Sequence, residues 1–502
     1  MAAESASPST APETSHFLGL AKQTLVYGLS GVAIQAVGVI TLPIYGHLFS
    51  QAEFGLLELA TVLTAVALAL IDAGFSSAAQ RSFYDYTDEE REQRRAVIFT
   101  AIAFTSCLAA MVTLILLLAH NGVSDWLFGG HGTGLVVAVA ISLPLINVAN
   151  FLRETMRLRF RAWHYVASSA LASVVAAGVG VVAVVVFDRG VTGVFIGLIV
   201  GNALAAAYGA AVVHSDLGRH FSRPELRKML HYGLPLVPAG LALWALALVD
   251  RIMLNKLGSL QDVGQYAVAN RISNVLLLAV TGFVLAFGPY VFAMYSEDRA
   301  LELQVRGKTL TYLVVCLCVA GLTLTLFAKE VIELVAPGFD DAYKAVGLLT
   351  LSVVAFGVST VVMAGISIMR RTKVLAVLAV GAAALNIGLN FALIPPFGML
   401  GAAVATAVAY VALTLVHYRV AQHYYATPYE PRRVVTAIAL ATGFGVLGVV
   451  PLGPTAVAVV IKLFALGAFV VLLRVFRVVD PDEVARVRSL LGGLARLRAA
   501  QA

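Results

Sequence analysis

The sequence predicts an all-α, polytopic membrane protein of about 14 transmembrane helices, and three observations predict it. Hydrophobic residues make up 60% of the 502 residues, charged residues only 13%, and mean hydropathy is +0.89. Soluble domains are nearer half apolar and a quarter charged. The missing charge is concentrated in repeated stretches of roughly twenty uncharged residues, enough to cross about 30 Å of hydrocarbon at about 1.5 Å per residue. Finally, Lys and Arg crowd into alternate connections along the chain and nearly desert the others. In lipid, a segment of that length satisfies its own backbone only as a helix.

Taken in order, the first six apolar spans run over approximately 24–47, 54–79, 96–120, 134–153, 164–187 and 190–213. The next six run over approximately 232–254, 264–294, 309–328, 345–368, 373–395 and 398–418, and a last pair over 433–452 and 455–476. Asp188 and Arg189 are nearly all that joins spans 5 and 6, and Pro395, Pro396 and Phe397 nearly all that joins spans 11 and 12. With the N-terminus in the cytoplasm, the inner segments and the helix ends beside them hold roughly 28 of the 35 Lys and Arg residues. Arg91, Arg94 and Arg95, then Arg157, Arg159 and Arg161, then Arg223, Arg227 and Lys228 set the pattern. The outer connections hold about four: Arg189, Lys256, Lys329 and Lys344. Both termini are therefore expected in the cytoplasm, with the chain in the inner (cell) membrane.

The net charge of +7 sits mostly beside apolar spans. Topology and anionic lipid explain it better than nucleic acid does. Cys107, Cys316 and Cys318 all lie within spans, an odd count that argues against a disulfide framework. No phosphate-binding Gly-x-x-x-x-Gly-Lys-Ser/Thr loop and no metal-spaced His/Cys/carboxylate cluster occurs. No cofactor, no metal and no catalytic residue is expected, and the short connections leave no soluble domain for enzyme chemistry.

The expected organisation begins with a disordered cytoplasmic tail (1–20) and an N-lobe of spans 1–6 (21–215). A cytoplasmic linker (216–230), a C-lobe of spans 7–12 (231–420), spans 13 and 14 (421–476) and a cytoplasmic C-terminal tail (477–502) follow. The two lobes are expected to be related by a parallel repeat. Leu48-Phe-Ser-Gln-Ala-Glu-Phe-Gly55 after span 1 matches Leu257-Gly-Ser-Leu-Gln-Asp-Val-Gly264 after span 7, an offset of about 209. Gly193, Gly197 and Gly201 on span 6 match Gly401, Ala405 and Ala409 on span 12 at about 208. Both copies start on an odd span, so they share an orientation in the membrane. The small residues themselves read as close helix packing.

Three stretches carry a family resemblance. They are Val39-Ile-Thr-Leu-Pro-Ile-Tyr-Gly-His-Leu-Phe-Ser-Gln-Ala-Glu-Phe-Gly55; Leu234-Pro-Leu-Val-Pro-Ala-Gly240 with Asp250-Arg251 and Val263-Gly-Gln-Tyr-Ala-Val-Ala-Asn-Arg271; and Leu385-Asn-Ile-Gly-Leu-Asn390 leading into Ile394-Pro-Pro-Phe-Gly-Met-Leu-Gly-Ala-Ala-Val-Ala405. Here the chain resembles the lipid-linked oligosaccharide (polysaccharide) flippases of the multidrug/oligosaccharidyl-lipid/polysaccharide exporter superfamily. The resemblance implies two lobes that open alternately to either side, and a polyprenyl-pyrophosphate carrying a sugar repeat unit as substrate. It implies movement from the cytoplasmic to the outer leaflet for cell-surface polysaccharide synthesis. Membrane lipids are the other expected partners, a monomer is the expected unit, and weak contacts with a glycan polymerase or glycosyltransferase stay open. Spans 13 and 14 are similar to those of peptidoglycan-precursor flippases, but that branch's Ser-Arg-x-Leu-Gly and Arg-Asp pattern is missing from span 1.

Ionisable residues inside spans cost about 2.5–3.5 kcal/mol each on insertion scales, so each needs a reason. Arg251 on span 7 and Arg271 on span 8 are candidates to face a central cavity and neutralise pyrophosphate, with Asn270 beside them as a substrate contact. The alternatives are a gating or structural ion pair, such as Asp250 with Arg271, and snorkelling of Arg251 to the interface. Asp72 on span 2 is either a protonatable coupling group or a helix-end partner of Arg81 or another inner-loop base. Lys462 on span 14 is a candidate to meet the lipid phosphate in a groove beside the lobes. The competing functions are a cation-coupled multidrug exporter, a peptidoglycan-precursor flippase, and a membrane-embedded glycan polymerase or ligase. The last would need a long outer loop carrying acid/base residues.

Overall fold

The structure is a computed structural model and describes residues 37–38 and 40–480, apart from 88, 131, 370 and 454. The N-terminal tail, most of span 1 and nearly all of the C-terminal tail lie outside these residues. Every regular element among them is a helix. The first group comprises α1 (residues 40–48), α2 (Gln51–Asp72), α3 (Phe75–Tyr84), α4 (Arg91–Leu118), α5 (His120–Phe128), α6 (Thr133–Leu158), α7 (Ala162–Val185) and α8 (Gly190–Val213). After α9 (Arg223–Gly233), the second group comprises α10 (Val237–Leu257), α11 (Leu260–Glu297), α12 (Arg299–Leu326), α13 (Ala328–Val335), α14 (Tyr343–Ile368) and α15 (Thr372–Tyr424). The last pair is α16 (Pro431–Gly445) and α17 (Thr455–Val475).

Ten of the described helices are long and apolar enough to cross a membrane, or eleven if the bent pair α9–α10 is one span. Helix α15 is two helices that meet at Gly398 (φ 53°, ψ −131°), beside Pro395 and Pro396. That is where the sequence puts the break between spans 11 and 12. The second half of α15 corresponds to span 12, the 15-residue α16 covers part of span 13, and most of span 1 lies outside the described residues. Span 2 is also divided. Ala73 (φ 44°) and Gly74 (φ 77°) turn left-handed between α2 and α3, and Gly74 presses against the Gly233 backbone at the end of α9.

Within the first group α8 lies against α7 and α6, and α4 against α6; within the second, α15 lies against α14 and α10. The close α7–α8 contact follows from the glycine row. A Cβ on Gly197 would come within 2.2 Å of the Ala176 carbonyl oxygen, and one on Gly201 within 2.4 Å of that of Ala172. Helix α16 packs on α12, and α17 on α12 and α16. A buried polar node fastens the approach to α16. Arg306 and Glu302 of α12 are paired at 3.2 Å, Tyr425 donates to Glu302 at 2.8 Å, and Thr311 donates to Glu430 at 2.7 Å.

The two groups meet chiefly through α2 and α11. At the end of the bundle carrying the α10–α11 turn, one apolar cluster runs through both groups, from Tyr45, Phe54 and Val136 to Tyr266, Phe339 and Met399. At the opposite end, the apolar cluster around Phe75, Phe83 and Met229 involves only the first group and α9. The cluster around Leu317, Val358 and Phe469 involves only the second group and the last pair. Among the described residues only the first end has an apolar cluster spanning both groups, and we call it the sealed end.

Candidate functional site

Helix α2 starts at a capping box, in which the Ser50 backbone donates to Glu53 and the Glu53 backbone to the Ser50 hydroxyl. This fixes the helix's first turns where they cross α11. Glu58 follows within two turns, 8% exposed and facing the second group. There it meets both of the arginines predicted from the sequence. Arg251 Nε lies 3.3 Å from Glu58 Oε1, and Arg271 Nη2 lies 3.7 Å from Glu58 Oε2. One carboxylate of the first group thus holds two guanidinium groups of the second.

The two arginines are held differently. Arg251 is 3% exposed. Its Nη1 donates to Asp250 Oδ1 at 2.7 Å and to the Ala247 carbonyl at 2.5 Å, and its plane lies 5.2 Å from the Tyr266 ring centre. Asp250 in turn accepts from the Tyr266 hydroxyl at 2.5 Å and from Thr406 at 3.3 Å. Arg271 keeps a side chain 24% exposed, laid over the Phe54 ring at 4.6 Å. Two carboxylates and two guanidiniums balance in charge, which makes their burial tolerable in an apolar bundle. Asp250 pairs with its neighbour Arg251 through Oδ1 and takes Tyr266 and Thr406 on Oδ2, where the sequence raised a pairing with Arg271. Glu58 was not singled out from the sequence. The signal was available, a carboxylate inside span 2, but its closeness to a capped helix start gives it the look of an interfacial acid.

The remaining candidates lie apart. Asn270 lines a cavity that Asp250 and Arg251 also line. Asp72 is about 21 Å further along α2 at 1.5 Å per residue. It caps α3, accepting from the Gly74 and Ser76 backbones at 3.2 Å each and from the Ser76 hydroxyl. Arg81, offered as its partner, lies over the Tyr232 ring instead. Lys462 is buried and donates to Glu330 of α13 at 2.6 Å, so its ammonium ties α17 to the second group. Among the described residues no group of three or more His, Cys, Asp or Glu is placed to hold a metal.

A model of the polysaccharide biosynthesis protein family matches residues 20–295. No curated protein matches the chain in sequence. Solved structures share its fold. The lipid II flippase MurJ in an inward closed conformation is similar with a TM-score of 0.72 at 13% identity, over 88% of this chain and 97% of that one. An outward-facing multidrug resistance transporter of the MATE family, in the MOP superfamily, is similar with a TM-score of 0.61 at 15% identity, over 83% and 96%. An inward-facing member of the same family gives 0.57 at 16% identity, over 83% and 94%.

Proposed function

Because the chain belongs to the polysaccharide biosynthesis protein family, a family of membrane transporters that includes lipid-linked glycan flippases, we propose that it carries a polyprenyl-pyrophosphate-linked oligosaccharide from the cytoplasmic to the outer leaflet. The observation that carries this reading is the Arg251–Glu58–Arg271 contact. Guanidinium groups suit pyrophosphate because their planar fork binds its oxygens in pairs. Here Glu58 holds the place such an anion would take.

This arrangement couples binding to motion. Pulling Glu58 away from two arginines in an apolar interior is costly unless another anion replaces it. An arriving pyrophosphate supplies that replacement and frees the first group from the second at the point where α2 crosses α11. The glycan precursor is thus the condition for opening the sealed end. Apolar cavities of about 360 and 330 Å³ follow α16 along α12 and α14, a path suited to an isoprenoid chain. The basic end, carrying Arg81, Arg94, Arg159 and α9, is the cytoplasmic one by charge asymmetry. The sealed end then faces outward, and the lobes await substrate from inside.

Flipping in proteoliposomes tests the reading. The native chain should translocate a polyprenyl-pyrophosphate oligosaccharide, and Arg271→Ala, at equal membrane level, should lose at least about tenfold in rate. No movement by the native chain, with export of a cationic dye under an ion gradient, would place it among drug exporters instead.

A further inference from the structure

We infer that the cavity beside the Glu58 contact, which carries several polar side chains, is a subsite for an uncharged sugar, the one bonded directly to the pyrophosphate. The inference rests on the flippase reading above. The cavity, of about 240 Å³, lies between α10, α11, α14 and α15. Asn270 and Asn274 line it from one face of α11, a turn apart. Among the described residues neither amide meets a hydrogen-bond partner, so each keeps its donors and acceptors for whatever enters. Opposite them stand Tyr410 and Ser352. The Ser352 hydroxyl donates to the Leu348 carbonyl at 3.1 Å and keeps its oxygen as an acceptor, and Tyr410 meets Phe356 edge-on at 6.2 Å to form an aromatic wall. The charged groups at the cavity, Asp250 and Arg251, pair with each other, and Arg251 also reaches Glu58.

Free amides, hydroxyls and an aromatic wall suit a ring of hydroxyls with an apolar face better than they suit a second anion. Position also fits. Arg251 both lines the cavity and contacts Glu58, and Asn270 is the residue before Arg271. An anion at the arginines would have its attached sugar at the amides. A site that hydrogen-bonds substrate hydroxyls discriminates strongly against ligands that lack them, so these residues would set which first sugar is accepted.

The test compares two probes binding to the purified full chain: polyprenyl pyrophosphate alone, and the same lipid carrying one neutral hexose. The native chain should prefer the hexose-bearing lipid. Asn274→Ala should lose about fivefold in affinity for it, one neutral hydrogen bond's worth, with affinity for the bare lipid unchanged. Asn270→Gln, which keeps an amide, should retain more of the preference than Asn270→Ala. Equal native affinity for the two lipids, or equal weakening of both by Asn274→Ala, would overturn the subsite while leaving the flippase reading standing. Binding of neither lipid by the native chain would sink that reading and the subsite with it.

Discussion

Gly264 of α11 lies so close to Gln51 of α2 that a Cβ built on it would stand 1.9 Å from the Gln51 carbonyl oxygen. The reverse contact is its counterpart: a Cβ on Gly55 of α2 would stand 2.3 Å from the Leu260 carbonyl oxygen of α11. By the repeat offset of about 209, residues 51 and 55 correspond to 260 and 264. Both helices also begin with capping boxes at corresponding places, Ser50 with Glu53 and Ser259 with Asp262. The seal is therefore the repeat folded against itself, with backbone touching backbone because neither glycine carries a side chain.

Gly264→Ala should loosen that seal. The obstructing atom is a backbone oxygen, which cannot swing aside, and overpacking of this kind costs about 1–3 kcal/mol. Ala336→Cys, at a fully buried position of the sealed end, should react faster with a membrane-impermeant maleimide when Gly264→Ala is added. An unchanged labelling rate would mean that the α2–α11 contact does not close that end.

Lys462 and Glu330 should behave as a coupled pair. Lys462→Met leaves Glu330, whose side chain is 23% exposed, without its partner, a loss below the roughly 3–5 kcal/mol of a fully buried pair. Adding Glu330→Gln should recover part of that loss. Thermal unfolding in detergent measures the cycle, and additive effects of the two changes would show that the pair is not coupled.

Tyr425→Phe removes the hydroxyl that donates to Glu302 at 2.8 Å, in a node where Arg306 and Glu302 are wholly buried. Leaving that carboxylate oxygen unsatisfied should cost about 1–3 kcal/mol. The loss should appear as a lower unfolding temperature. No change would place the node outside the cooperative core.

The helices and the repeat were legible in the sequence because membrane burial leaves a length-and-charge pattern that needs no tertiary knowledge. Arg251, Arg271 and Asp250 stood out for the same reason: a charge inside a span demands explanation. What each charge pairs with was not legible. Lys462 finds its acid 132 residues away, and nothing in sequence spacing joins α17 to α13. Glu302 and Arg306 read as residues of an inner connection because span 9 was expected to begin near 309. Instead α12 starts at Arg299 and buries both. Glu58 hides beside the cap of α2, and only the crossing with α11 reveals it as the partner of two arginines.

The most direct test of the account is substrate affinity in Glu58→Gln. If Glu58 holds the arginines in place of pyrophosphate, removing its charge should tighten binding of the polyprenyl-pyrophosphate glycan by about tenfold, within the usual range of coupling between sites. The same variant should flip more slowly, because the contact that closes the lobes behind the departing substrate is gone. A Glu58→Gln chain that binds the glycan lipid more weakly than the native one would contradict the account.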